Sequence, residues 1–253
     1  MNVRPRSVVA ELITPQIPEP CAVCAVYDFG ICRAASLACA LKPGEPFEFE
    51  KSSHTVPARR VIFREHEYTE TVPVICEGWA ASNVMLSDGT RQILSFLLPG
   101  DLVSTALLFD AKAHCSVEAI TDVRYRTFDR ATLKATLLKK PDLLDKLFRA
   151  WVEEKTRSDQ LIVDLGRRTA EERIARLILN LKDRLALRGM VRSEPMEMDF
   201  PLRQHHIADA IGLTPVHVSK VLSEFRRAGI LKISDRSLTI LDHARFVRIA
   251  LMR

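Results

Sequence analysis

The sequence predicts an α+β chain: an antiparallel β domain, then a long helix, then a small helical domain closed by a β-hairpin. Three observations carry the prediction. Between about residues 43 and 128, short apolar runs are broken by turn signals, as in antiparallel strands. After Asp129 the apolar period changes from two to about 3.6, so strands give way to helices. From residue 203 to 241, two short amphipathic segments flank a tight turn and two alternating runs follow them.

Residues 1–20 hold Pro5, Pro15, Pro18 and Pro20 without any period and read as a mobile leader. They lack the uninterrupted apolar centre of a secretory signal, and nowhere do about 18 apolar residues run together as a membrane span requires. A cytoplasmic protein with no membrane partner is expected. With 253 residues, 47% of them hydrophobic and 27% charged, the chain has material for two domains with real cores.

Residues 21–140 form the first unit, a cysteine-containing segment followed by the β domain. Within it, residues 84–86, the Ser-Asp-Gly-Thr turn at 87–90 and residues 92–98 read as a hairpin, and Pro99, Gly100 and Asp101 supply the next turn. Residues 141–166 read as one helix, with Leu143, Leu144, Leu147, Phe148, Trp151 and Val152 on a broad apolar face that Leu161, Ile162 and Leu165 resume. Glu154, Lys155, Ser158 and Asp159 interrupt that face, which suits a self-pairing helix of modest strength. Thr169 and Glu172 have the spacing of a capping box, and open a further helix through Ile174, Leu177, Ile178 and Leu181 that ends near Gly189.

The last unit, residues 167–253, carries the most informative segment. Residues 204–211 read as a helix, Gly212 relieves a turn, and Thr214 followed by Pro215 starts a second helix, because threonine caps free N–H groups and proline loses no needed donor there. Val218, Val221, Leu222 and Phe225 fall at i, i+3, i+4 and i+7 and must face a core. Val216, Lys220 and Ser223 then point away, flanked by His217 and Ser219. This is the arrangement of a helix-turn-helix, whose second helix enters the major groove of double-stranded DNA. Gln204 and Thr214, at the starts of the two helices, are further DNA-binding candidates. Residues 231–234 and 238–241 alternate around Asp235, Arg236 and Ser237, a hairpin "wing" with Arg236 at its tip.

Charge supports the DNA reading over a helical pair that merely packs. Residues 167–253 hold 17 Lys and Arg against 10 Asp and Glu, a net +7, whereas the whole chain carries +5. The basic excess is therefore confined to the part with the motif. No phosphate-cradling GxxxxGK[ST] and no HExxH helix is present, so an enzyme is not expected. The Glu-His-Glu run at 65–67 reads as a solvated loop, and His205 and His206 as surface or phosphate-proximal residues.

Six cysteines in a cytosolic setting argue against structural disulfides. Cys21, Cys24, Cys32 and Cys39 follow C-x2-C-x7-C-x6-C, a spacing open to thiolate ligation of zinc or iron–sulfur, while Cys76 and Cys115 fall inside the β domain.

In order, these elements resemble the CRP/FNR transcription regulators over about residues 21–241. Pro-Gly-Asp-Leu-Val at 99–103, Ala-Glu-Glu-Arg at 170–173 and Gly-Leu-Thr-Pro-Val-His-Val-Ser-Lys-Val-Leu at 212–222 carry the likeness most specifically. The resemblance implies a cyclic-nucleotide-binding-like antiparallel β-roll, a long dimerisation helix and a C-terminal winged helix-turn-helix, acting as a homodimer on an inverted repeat with RNA polymerase as a further partner. Cys-Ala-Val-Cys-Ala-Val-Tyr-Asp-Phe-Gly-Ile-Cys at 21–32 resembles the ligand segment of the FNR branch. That implies an oxygen-responsive [4Fe–4S] cluster held by Cys21, Cys24 and Cys32, with Cys115 or Cys39 as the fourth ligand, because the family's β-roll cysteine falls near Arg126. The alternative is a regulator without a cluster that senses thiol redox, haem or nitric oxide, or a small molecule. The glutamate and Arg-Ser pair of cAMP-binding members fall at Thr105 and at His114 and Cys115, so cAMP is not expected. Where relatives place a glutamate in the reading helix this chain has Val216, and Lys220 stands for their arginine. The target is therefore not expected to follow from the FNR box.

Overall fold

The computed structural model describes residues 53–251 together with Cys24. Seven strands come first: β1 (Ser53–Val56), β2 (Val61–Phe63), β3 (Thr71–Glu77), β4 (Ala80–Met85), β5 (Arg91–Leu97), β6 (Ser116–Ala119) and β7 (Val123–Asp129). They form two antiparallel sheets, in the order β1-β7-β3 and β2-β6-β4-β5. Val72, Val74, Ala80, Val117 and Phe128 point into the space between the sheets and build its core. The expected hairpin is β4–β5, with Ala80 opposite Leu97 and Met85 opposite Arg91. At Gly78 the φ is +81°, and a Cβ would lie 2.1 Å from the Asp122 carbonyl oxygen, so only glycine fits this corner.

The helical stretch after Asp129 is divided. Asp129 caps α1 (Arg130–Lys139) by accepting from the Thr132 N–H, and α2 (Pro141–Arg167) restarts at a proline. Lys140 is extended, as the residue before proline prefers, and that separates α2 from α1 at the boundary expected for the long helix. The expected capping box is present at α3 (Ala170–Ala186), where the Thr169 side chain accepts from the Glu172 N–H and the Glu172 carboxylate accepts from the Thr169 N–H.

Next come β8 (Val191–Ser193), β9 (Met196–Asp199), α4 (Gln204–Ile211), α5 (Pro215–Arg227), β10 (Leu231–Ser234), β11 (Ser237–Ile240) and α6 (His243–Leu251). The wing is thus half of a four-stranded sheet, β10-β11-β9-β8. Neither β8–β9 nor α6 was expected. The first pair is too short to show a period, and α6 presents a small apolar face whose Phe246 packs edge-on against Phe225, with ring centroids 5.8 Å apart.

The core of the C-terminal unit does not stop at its own elements. Trp79, Ala81, Ile93, Phe96 and Leu98, on or beside β4 and β5, pack into the same cluster as Ile174, Ile178, Leu181, Ile207 and Val218. The β-roll and the helical unit share one apolar seam. No described helix is long and apolar enough to cross a membrane.

Candidate nucleic-acid interface

Gly212 ends α4 in the left-handed region, φ +64°, and the Leu213 N–H donates to the Ala208 carbonyl, closing the turn. The Thr214 hydroxyl oxygen accepts from the His217 N–H at 3.2 Å and Pro215 opens α5. Val218, Val221 and Phe225 are buried under the helix, and Leu222 is half-buried. On the other side Val216 is 79% exposed, and His217 and Lys220 face solvent.

Ser219 and Ser223 are half-buried rather than fully outward, and this corrects the sequence expectation for Ser223. Both line a groove of about 630 Å³ with Arg203, Gln204, His205 and Arg226. The groove runs between the start of α4, the side of α5 and β10. Gln204 and Thr214 are exposed at the starts of their helices.

Asp235 and Arg236, at φ +50° and +65°, make the two-residue turn joining β10 to β11, the geometry that matches strand twist. Arg236 is exposed at the tip, and its carbonyl accepts from the Phe200 N–H, which holds the turn to the base of the unit. Arg226 lines the groove, and Arg227, Lys232 and Arg245 are also exposed in this unit.

His206 departs from the surface position expected of the two histidines. His205 is half-buried and lines the groove beside Ser219 and Ser223, whereas His206, also half-buried, turns to the start of its own helix. The His206 Nδ1 accepts from the Arg203 N–H at 3.1 Å, so the ring is neutral and caps α4. Burial, then His205, Arg91, Arg203 and Arg59, push its pKa down to about 3. Arg91 of β5 pairs with Asp209 of α4 and Glu118 of β6, both at 2.8 Å. Burial and the Arg91 charge also lower His205.

Of the cysteines considered as ligands, Cys21, Cys32 and Cys39 lie outside the described residues. Cys24 and Cys115 are half-buried. Burial raises the Cys115 thiol to about 11, with Glu65 and Glu154 adding to the shift. Thr105 donates to Glu154 of α2 at 2.9 Å, and His114 pairs with Asp110, so carboxylates already engage two of the positions compared with a cyclic-phosphate site. Arg126 is fully buried on β7 with its guanidinium 5.2 Å from the centre of the Phe128 ring. Among the described residues, no three His, Cys, Asp or Glu gather as a metal site requires. Those residues do not by themselves make a four-thiolate cradle. His66 sits exposed in a turn at φ +69°, as expected for a solvated loop.

A β-roll joined through a long helix to a winged helix-turn-helix defines a class, the DNA-binding transcription regulators whose sensory and reading parts occupy one chain. Comparison with known proteins agrees. A cyclic nucleotide-binding domain model matches residues 53–140 and a Crp-like helix-turn-helix domain model matches residues 172–249. The chain is 30% identical to the nitrogen fixation regulation protein FixK of Bradyrhizobium diazoefficiens, over 91% of this chain and 93% of that protein. It is 30% identical to the transcriptional activatory protein AadR of Rhodopseudomonas palustris, over 90% and 91%. The solved structure of FixK2 from Bradyrhizobium japonicum superposes with a TM-score of 0.70 at 28% identity, covering 78% of this chain and 96% of that one. The chain belongs to the CRP/FNR family of DNA-binding transcription regulators.

Proposed function

We propose that the protein acts as a homodimer on an inverted repeat, with α5 of each protomer in successive major grooves about 34 Å apart. The observation that carries this reading is the outward face of α5. Val216, His217 and Lys220 stand exposed on a helix whose other side is locked into the core, and Ser219 and Ser223 beside them line a groove with Arg203 and Arg226. Val216 offers only apolar contact, suited to a thymine methyl, and Lys220 donates to an acceptor on a base edge. Ser219 and Ser223 flank them, while Gln204, Thr214 and Arg236 serve the phosphates. Selection of duplexes from a random pool by purified protein tests this; recovery of an inverted repeat is expected, and no enrichment in dilute buffer overturns it.

Dimerisation belongs to α2. Phe148, Trp151, Val152 and Ile162 are 56%, 52%, 54% and 69% exposed along it, an apolar stripe that a second copy would cover.

For the signal, the favoured reading remains redox sensing through Cys21, Cys24 and Cys32, with Cys39 or Cys115 completing the set. A [4Fe–4S] cluster on those thiolates would supply sensitivity to oxygen. A second reading, a regulator without a cluster, is favoured by the buried Arg126, a cation filling the place where the family's fourth thiolate falls. Purification without oxygen followed by iron and sulfide analysis separates them. Close to four irons per protomer supports the first, and an iron-free protein that still selects its repeat supports the second.

A further inference from the structure

The Pro-Gly-Asp-Leu-Val turn at 99–103 has no part in the DNA face, yet its carboxylate accepts three hydrogen bonds. Asp101 is fixed to the β-roll by its own backbone: its N–H donates to the Leu98 carbonyl, and its carbonyl accepts from the Ile75 N–H, both at 3.0 Å. One carboxylate oxygen, Oδ2, accepts from the Leu98 N–H at 2.8 Å and from Arg184 Nη2; the other, Oδ1, accepts from Arg188 Nη2. Arg184 lies in the last turn of α3 and Arg188 just beyond it. Both are buried, at 8% and 5% exposure. Each also reaches a backbone carbonyl of the roll, Arg184 to Phe96 at 2.9 Å and Arg188 to Pro99 at 2.7 Å.

Two buried guanidinium groups thus converge on one carboxylate, and Arg157 of α2 adds a third positive charge close by. Without the carboxylate those cations would repel one another in a poorly hydrated place, and the end of α3 would be driven off the roll. The other end of α3 is tied to the reading unit. Arg173 Nη1 donates to the carbonyl of Ile211, the last residue of α4, at 3.3 Å, and Arg176 pairs with Asp164 of α2 at 2.7 Å. Helix α3 is therefore a rod about 25 Å long, from its rise per residue, and a tilt of about 5° moves one end by about 2 Å.

Resting on the DNA-binding reading above, we propose that Asp101 is a positioning residue for DNA recognition: it clamps α3 to the β-roll and so fixes where α5 sits relative to the dimer helix. It does not touch DNA. Its effect is on the geometry of a paired site, because two reading helices held at a set separation accept only one spacing of half-sites.

The test uses the full chain and the inverted repeat that the wild type selects from random duplexes, with the spacer lengthened or shortened by one or two base pairs, and a duplex carrying a single half-site. Wild type is expected to lose about tenfold in affinity on the altered spacers. D101N is expected to bind the half-site and to dimerise as wild type does, to lose about tenfold on the native repeat, and to bind all spacers within about threefold of one another. Wild-type discrimination retained by D101N overturns the proposal, as does an equal loss on half-site and repeat, which marks a merely structural role. If D101N does not fold, R184Q, which leaves Arg188 on Asp101, is measured instead, and unchanged discrimination there overturns it equally. A wild type that enriches no duplex overturns the DNA reading itself, a distinct outcome.

Discussion

Lys220 carries a compact ammonium on a flexible stem, so it donates to a base or a phosphate without the planar fork that reads guanine in two bonds. Which of these it does is measurable. K220A is expected to lose about 1–3 kcal/mol of binding on the selected repeat and little on scrambled duplex, by titration of labelled DNA. Equal loss on both would reassign it to the phosphates. His206 makes a different prediction, about stability. Its folded pKa is pushed down to about 3 from an ordinary value of 6.5. Above about pH 6.5 the ring is neutral in both folded and unfolded chains. As pH falls below that, the unfolded chain takes up the proton first, so the stability this group contributes is lost between about pH 6.5 and 3. Glutamine at the same place can still accept from the Arg203 N–H, so H206Q should show a smaller fall in Tm from pH 7 to pH 5 than wild type. Identical falls would remove His206 from the acid response. Sequence alone could not place it: a histidine pair at the start of a helix reads as surface until the neighbouring β5 and its Arg91 are known.

At the scale of elements, α2 shows what periodicity does and does not settle. Leu144, Phe148, Trp151, Lys155, Ser158, Ile162 and Leu165 recur at alternating spacings of four and three, the seam of a paired helix with two polar steps at its centre. Of the apolar ones, Phe148, Trp151 and Ile162 are exposed in the single chain. A large aromatic at the middle of a helix pair contributes about 2 kcal/mol or more. W151E should therefore weaken dimerisation by at least about tenfold in sedimentation while leaving helix content unchanged. A dimer as tight as wild type would mean that another face pairs. The start of α2 was legible for a local reason, since Pro141 excludes its neighbour Lys140 from the helix. The reading helix α5 was legible for the same kind of reason, a capping threonine, a proline and a stripe at helical spacing. The hairpin β8–β9 was not, because three or four residues carry no period and β9 is joined to the sheet by pairing with β11, far along the chain.

On the scale of the whole molecule, the basic excess in residues 167–253 has a consequence that no single contact shows. Each phosphate neutralised releases condensed counterions, so affinity for the selected repeat should fall by about 10³–10⁵ between 50 and 200 mM salt if about six to ten phosphates are contacted. A flat salt response would mean that the basic surface faces something other than DNA. The apolar seam between β4–β5 and the helical unit, together with Arg91 and Asp101, makes the roll and the reader one mechanical body in this state. A signal that acts on the roll therefore has a physical route to α5.

What the sequence determined by itself was the set of parts: a β domain, a long amphipathic helix, a capped helix and a helix-turn-helix with its wing, each signalled by residues close together in the chain. Only the tertiary structure decided how those parts meet. Asp101 and Arg184 are 83 positions apart, as Arg91 and Asp209 are 118 apart, and local propensity holds no information across such distances. Their pairing follows from packing two apolar surfaces together, which buries the charges beside them and obliges each to find its opposite.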